Sequence, residues 1–176
     1  PTRNDALGYP QNAFVPIDDS EQLALDYGST MTSPRCFIYP SVQQLLTIDR
    51  ATNTYTTIDP GPERTQLIFA LHPCDMHAIT VLDRTFLGAF RDFYYARLRE
   101  ATCTVVLNCN QACDKGFCSS MRTGPFLQIQ EGFDVVMTAL DGHYLLEPGS
   151  ERGRELLRMA PGLETAGRKH LHEKTR

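Results

Sequence analysis

The chain has 176 residues, 41% of them hydrophobic and 22% charged, with no Trp and a formal net charge of −4. That length supports one domain with a real core, and mild acidity without a basic stripe argues against a nucleic-acid partner. No apolar run reaches the ~20 residues that span a bilayer, and no charged n-region followed by an apolar h-region opens the chain, so it reads as cytoplasmic with no membrane span.

Residues 1–35 are rich in Pro, Gly, Ser, Thr and Asp and read as an irregular N-terminal wrapper. The first residue is Pro1, so either an initiator was removed or the chain is a piece of a longer protein. Within the wrapper, "SEQLALDYG" (20–28) has a helical pattern, with Ser20 placed to cap it and Gly28 to stop it. "CFIYPSVQQLLTID" follows, and "RATNTYTTIDPGPE" reads as a turn or hairpin region. None of this third is expected to carry chemistry.

The centre is more regular. "TQLIFAL" (65–71) is an apolar run of strand length ended by His72-Pro73. "DMHAITVLDRTFLGAF" (75–90) repeats apolar residues at 76, 79, 82 and 86, a helical spacing, with Asp75 as a cap candidate. "FYYARLREA" continues as a second helical piece, and "CTVVLN" (103–108) is a second buried-type strand. "FDVVMTAL" and "HYLLEPG" flank Asp141-Gly142, a hairpin turn signal. "SERGRELLRMA" reads as a helix capped by Ser150, and the charged tail 160–176 as a solvated helix or linker. Strand, crossover and strand in this order imply an α/β fold: a mixed sheet with a parallel central strand pair, crossover helices and an added β-hairpin.

Six cysteines are present, at 36, 74, 103, 109, 113 and 118. In a cytoplasmic chain, clustered cysteines bind metal or do redox chemistry more often than they form disulfides. Cys109, Cys113 and Cys118 fall within ten positions, one ligand short of the four that zinc or an iron–sulfur cluster takes. Cys74 follows the first central strand and Cys109 the second. If those strands are parallel neighbours, both thiols emerge at the carboxyl edge of the sheet, where ligands of open α/β sheets gather. Cys74, 35 residues upstream of Cys109, is therefore the expected fourth ligand.

Two metals compete for this set. Structural zinc favours two close Cys pairs, and only Cys109 and Cys113 form one. A [4Fe–4S] cube holds its ligands at separated corners and tolerates three cysteines in one loop with one remote, though the spacing here is not the ferredoxin run. A helix beginning near Asp75 would offer free N–H groups to the negative cluster, and Gly116, Gly124 and Pro125 frame the loop and allow close backbone approach. Cys74 beside His72 and His77 could instead be an activated nucleophile, although neighbouring cysteines are a liability to such a thiol. His72 and His77 read as packing or surface histidines, with His72 a reserve ligand. Cys36 and Cys103 read as small buried hydrophobes, and Asp75, Asp83 and Asp92 as a cap and solvated positions.

"LHPCDMHAITVLDRTFL", "RDFYYARLREATCTVVLNCNQACDKGFCSSMRTGP" and "GFDVVMTALDGHYLLEPGSERG" together resemble the iron–sulfur β subunit of cytoplasmic NAD(P)-linked [NiFe] hydrogenases (sulfhydrogenases). They are equally similar to the corresponding iron–sulfur protein of anaerobic sulfite reductase. The resemblance runs from about residue 13 to 157 and is strongest over 67–150. It implies a non-catalytic electron-transfer subunit holding one [4Fe–4S] cluster through Cys74, Cys109, Cys113 and Cys118, with flavin-containing and catalytic subunits as partners. The family usually has Arg where this chain has His72, and Gly where it has Arg122, departures that leave the ligands intact and bear on the local electrostatics. The family pattern also continues into a ferredoxin-like segment with two further clusters, so a single cluster domain over 1–176, truncated before that segment, is expected. The alternative of another class is a structural zinc module that serves docking and has no redox role.

Overall fold

The computed structural model describes residues 2–4, 11–13, 18–28, 30, 32–59, 65–113 and 116–167. Its centre is a four-stranded sheet of β5 (Gln66–Leu71), β6 (Thr102–Leu107), β7 (Val135–Leu140) and β8 (His143–Pro148), in that spatial order. Two short antiparallel pairs accompany it: β1 (Thr2–Asn4) with β2 (Gln11–Ala13), and β3 (Leu46–Asp49) with β4 (Thr54–Thr57). The helices are α1 (Pro73–Phe86), α2 (Phe93–Glu100) and α3 (Glu151–Met159).

β5 pairs parallel with β6, as the strand–crossover–strand order requires, and α1 and α2 make that crossover. β7 is also parallel to β6, so the parallel part of the sheet has three strands, and β8 returns antiparallel through Asp141-Gly142 to form the edge. Gly142 has φ 76°, the left-handed region that a side chain disfavours. The α/β fold with a parallel centre and an added hairpin therefore stands.

Each face of the sheet buries its own cluster. On one, Ile68, Leu71, Val106 and Val136 meet Met76 and Ile79 of α1, Tyr95 of α2 and Ile38, with Leu82 and Phe86 packed against them. The helical spacing at 76, 79, 82 and 86 thus marks the face of α1 that packs on the sheet. On the other face, Ala70, Val105, Leu107, Val135 and Met137 are covered by Leu156 and Leu157 of α3 and by Leu25 and Tyr27. Alternation along the strands explains the split, except in β5, where one extra residue lies between the pairs Ile68–Thr104 and Leu71–Val106. Ala70, at φ 60°, is in this bulge, so Leu71 returns to the face of Ile68 while Ala70 turns to the other.

Side-chain hydrogen bonds fix the helix starts. Asp92 accepts from the Tyr95 amide at 2.7 Å, and Ser150 from the Gly153 amide at 2.9 Å, the cap expected for α3. α1 begins two residues earlier than its periodicity indicates, because Pro73 supplies the preset φ of a first helical residue. His72 is its cap position and makes no side-chain cap bond.

Three sequence expectations need correction. Residues 20–28 form one 3₁₀ turn, Ser20–Gln22, with Asp19 and not Ser20 as its cap; the chain then continues without regular structure, and Leu25 and Tyr27 pack against the sheet. Asp75 is not the cap of α1 but lies inside its first turn, half-buried and bonded to Ser33. Asp83 is not solvated: it accepts from Tyr95 at 2.5 Å and from Arg99 at 3.0 Å, tying α1 to α2. Residues 160–167 carry no helix, and 168–176 lie outside the described residues, as do 60–64.

Candidate functional site

The carboxyl ends of β5 and β6 lie side by side, and the chain leaves each with a cysteine close behind. From β5 it passes through His72 and Pro73 to Cys74 in the first turn of α1. From β6 it passes through Asn108 to Cys109. Asn108 is buried, and every polar atom described for it is used: its amide donates to the Met137 carbonyl at 2.8 Å, and its side-chain NH₂ to Thr138 Oγ1 at 2.9 Å. Its Oδ1 accepts from the Leu127 amide at 2.8 Å, and the Cys109 amide donates to the Pro125 carbonyl at 3.0 Å. These bonds bring residues 125–127 back across the strand end and fold the cysteine loop over it.

The loop is tightened by its own backbone. Gly116 donates to the Cys113 carbonyl at 2.9 Å, and Thr123 to the Cys118 carbonyl at 2.8 Å. Close quarters explain two glycines in it. A Cβ on Gly124 would stand 3.3 Å from Cys118 Cβ and 3.5 Å from its Sγ, and one on Gly116 3.2 Å from Cys113 Cβ. Arg122, at φ 56°, occupies the left-handed region that Gly takes without strain. The resemblance places Gly at that position, and the backbone gives the reason.

Charge reports the proximity of the thiols. Burial pushes Cys109 up to about 12, and Cys74, Cys113, Cys118 and Asp75 each add to the rise. Cys74 is pushed up to about 11 by burial and by Asp75, Cys118 and Cys113, partly opposed by a hydrogen bond from the Asp75 amide. Between them, these two thiols feel all the others of the set. The groups that perturb them are thiols and a carboxylate, with a single amide in opposition, so the pocket disfavours thiolate until a positive centre arrives. Among the described residues, no three His, Cys, Asp or Glu side chains are grouped closely enough to hold a metal ion as they stand. The four cysteines share a neighbourhood, not a finished coordination sphere.

A wall of this neighbourhood comes from the segment read as inert wrapper. Tyr27 stacks on His72, with ring centroids 4.1 Å apart and planes 13° apart, and donates its hydroxyl to the Ala70 carbonyl at 2.5 Å. Its hydroxyl is held in the neutral form by burial first, then by Asp75, Cys109 and Cys74. His72 is 5% exposed and burial lowers its pKa, so it packs as a neutral ring, as expected of a packing histidine. Nε2 of His77 is buried with no partner. Cys103 is buried in β6 and Cys36 is partly buried, neither among the groups that perturb Cys74 and Cys109. Tyr27 and Asn108 carried no signal in the sequence, since an isolated Tyr in a loop and an Asn at a strand end are ordinary.

The fold is an α/β domain in which Cys74 and Cys109 follow the carboxyl ends of two parallel strands and the loop of Cys113 and Cys118 folds back over them. The chain is 29% identical over 146 residues to sulfhydrogenase 2 subunit beta of Pyrococcus furiosus, an alignment covering 82% of this chain and 41% of that protein. The chain matches less than half of that relative's length. No family model and no solved structure matches the chain. No described helix is long and apolar enough to cross a membrane.

Proposed function

We propose that the chain is an electron-transfer subunit or domain that holds one [4Fe–4S] cluster on Cys74, Cys109, Cys113 and Cys118. The observation that carries this reading is geometric: parallel β5 and β6 end side by side with Cys74 and Cys109 close behind them, and the loop folds back so that a Cβ on Gly124 would stand 3.3 Å from Cys118 Cβ and 3.8 Å from Pro73 Cβ, next to Cys74. The donor set fits the group in kind, because thiolates are the ligands such clusters take and only a cationic metal core relieves their repulsion. It fits in distribution too, three ligands from one loop and one from a helix start, a spread better suited to a cube than to a single tetrahedral ion.

When bound, such a cluster supplies a one-electron redox centre. The chain's own residues do the rest. The Asp75 amide donates to Cys74 and favours its ionised form. Asn108 fixes the strand end from which Cys109 projects, and Gly116 and Gly124 leave room for the loop to close on the sulfurs. Phe117 and Met121, both exposed on that loop, give the edge an apolar surface suited to a protein partner. By the resemblance of its motifs, the partners we propose are a flavin- and NAD(P)-handling subunit on one side and a hydrogenase or sulfite-reductase catalytic subunit on the other; the relative it matches is a sulfhydrogenase subunit. The relay operates in the cytoplasm, as a non-catalytic part of an oxidoreductase complex.

Anaerobic reconstitution with iron and sulfide tests the proposal. About four irons per chain, and a low-temperature EPR signal after dithionite that Cys74→Ala abolishes, are the expected results. One tightly held zinc per chain with no iron uptake would overturn it in favour of a structural zinc module.

A further inference from the structure

We infer that Tyr27, held against His72, is a positioning residue that closes the thiol site on its N-terminal side, keeping water from the cluster proposed above and thereby setting its potential. This rests on the cluster reading and adds a residue outside the ligand set and its loop.

Three contacts place the ring. Its hydroxyl is anchored 2.5 Å from the carbonyl of Ala70, the bulged residue one step before β5 ends. Its face lies on His72, two residues before Cys74, at 4.1 Å between ring centroids. It also packs against the hydrophobic cluster of Ala70, Leu107 and Met137, so the ring bridges the packed face of the sheet and the mouth of the thiol site. Ala70 and His72, which hold the hydroxyl and the ring, lie four and two residues before Cys74, so the ring sits at the strand end from which that cysteine follows.

The consequence follows from charge. A cluster on four thiolates is negative, and reduction makes it more so; water stabilises the reduced form more than the oxidised form. A ring that replaces water on one side therefore lowers the potential and slows attack by oxygen. Removing the ring admits water and reverses both effects.

The experiment compares reconstituted wild-type protein with Tyr27→Ala and Tyr27→Phe, using Tyr94→Ala as a control that removes a ring bonded to Leu45 on the β3–β4 side. Iron and sulfide are counted first. A wild-type protein that takes up no iron sinks the cluster reading and this inference with it. A loaded wild type makes the remaining arms a test of Tyr27 alone. Tyr27→Ala is expected to bind the same iron, to show a midpoint potential shifted upward, and to lose its visible absorbance in air severalfold faster. Tyr27→Phe keeps the stack and should stay near wild type in both, as should Tyr94→Ala. Wild-type potential and decay in a loaded Tyr27→Ala overturn the inference, and so does an equal shift in Tyr27→Phe or Tyr94→Ala. Where circular dichroism shows Tyr27→Ala unfolded, Tyr27→Leu fills the space without stacking and is read by the same two measurements.

Discussion

The two ends of the parallel strands treat buried polar groups in opposite ways. At the amino ends, the central polar group is answered from within the chain. Asp134 takes the Thr104 amide at 2.9 Å, Ser150 at 2.6 Å, and a two-pronged Arg152 at 2.8 and 3.0 Å. Arg152 also donates to the carbonyls of Glu100 and Thr102, and Thr102 receives Gln66 while donating to Leu98. At the carboxyl ends, burial first and then thiols and a carboxylate raise the pKa of Cys74 and Cys109, and the opposing contribution is one amide. A satisfied network stabilises its fold and recruits nothing, whereas a one-sided one is stabilised by a ligand of the missing charge. The amino end is the structural end of the sheet, and the carboxyl end is the one at which we propose binding.

Breaking the amino end should cost the most. Asp134→Ala leaves a half-buried Arg152 and the Thr104 amide without their carboxylate and is expected to lower unfolding free energy by about 3–5 kcal/mol, measured by urea denaturation. Gly153→Ala strikes the same joint, because a Cβ there would run into the Asp134 carbonyl on which α3 rests. Its expected loss is roughly 1–3 kcal/mol, or loss of folding if α3 cannot shift.

The pH response separates the ends further. Burial pushes Asp134 up, but bonds from Arg152, Ser150 and the Thr104 amide outweigh it and hold the carboxyl below its ordinary value. A depressed folded pKa gives stability that is present above the unfolded value near ~4 and lost as pH falls through the lower folded one. Denaturation midpoints should fall in that acidic window, and Asp134→Asn should flatten the fall. The thiols behave inversely. Their raised folded values keep their contribution intact below the ordinary thiol pKa near ~9 and lose it as pH climbs toward 11 to 12. In metal-free protein near neutral pH, Cys74 should react with iodoacetamide roughly a hundredfold more slowly than an ordinary thiol, although it is exposed. Site-resolved mass spectrometry checks this; ordinary reactivity at Cys74 would erase the contrast between the two ends.

The smallest effect concerns the loop. Arg122→Gly removes the left-handed strain at φ 56°, while the freer unfolded chain offsets part of the gain. A stabilisation under about 1 kcal/mol is expected, read as a small rise in melting temperature with cluster uptake unchanged.

Local pattern determined much of this architecture. The apolar runs at 65–71 and 103–108, the helical repeat at 76, 79, 82 and 86, the Asp141-Gly142 turn and the Ser150 cap are signals within a few residues of one another, and each appears where its pattern put it. That Cys74 and Cys109 follow neighbouring strand ends was also open to sequence reasoning, because parallel pairing follows from strand order. Pairings across long stretches of chain were not legible. Residues 20–28 look helical by composition, yet Leu25 and Tyr27 bury more by packing across the sheet than one short helix would gain alone. Asp83 looks solvated until Arg99 and Tyr95 arrive from the next helix, and Asp75 looks like a cap until Pro73 starts the helix earlier. The sequence by itself settled the central strands and the three helices packed on them, since spacing and strand order encode those. Only the tertiary structure decided that Tyr27 stacks on His72 and that Asp134 locks the opposite end, because burial and charge pairing between distant residues exist only once the chain has closed on itself.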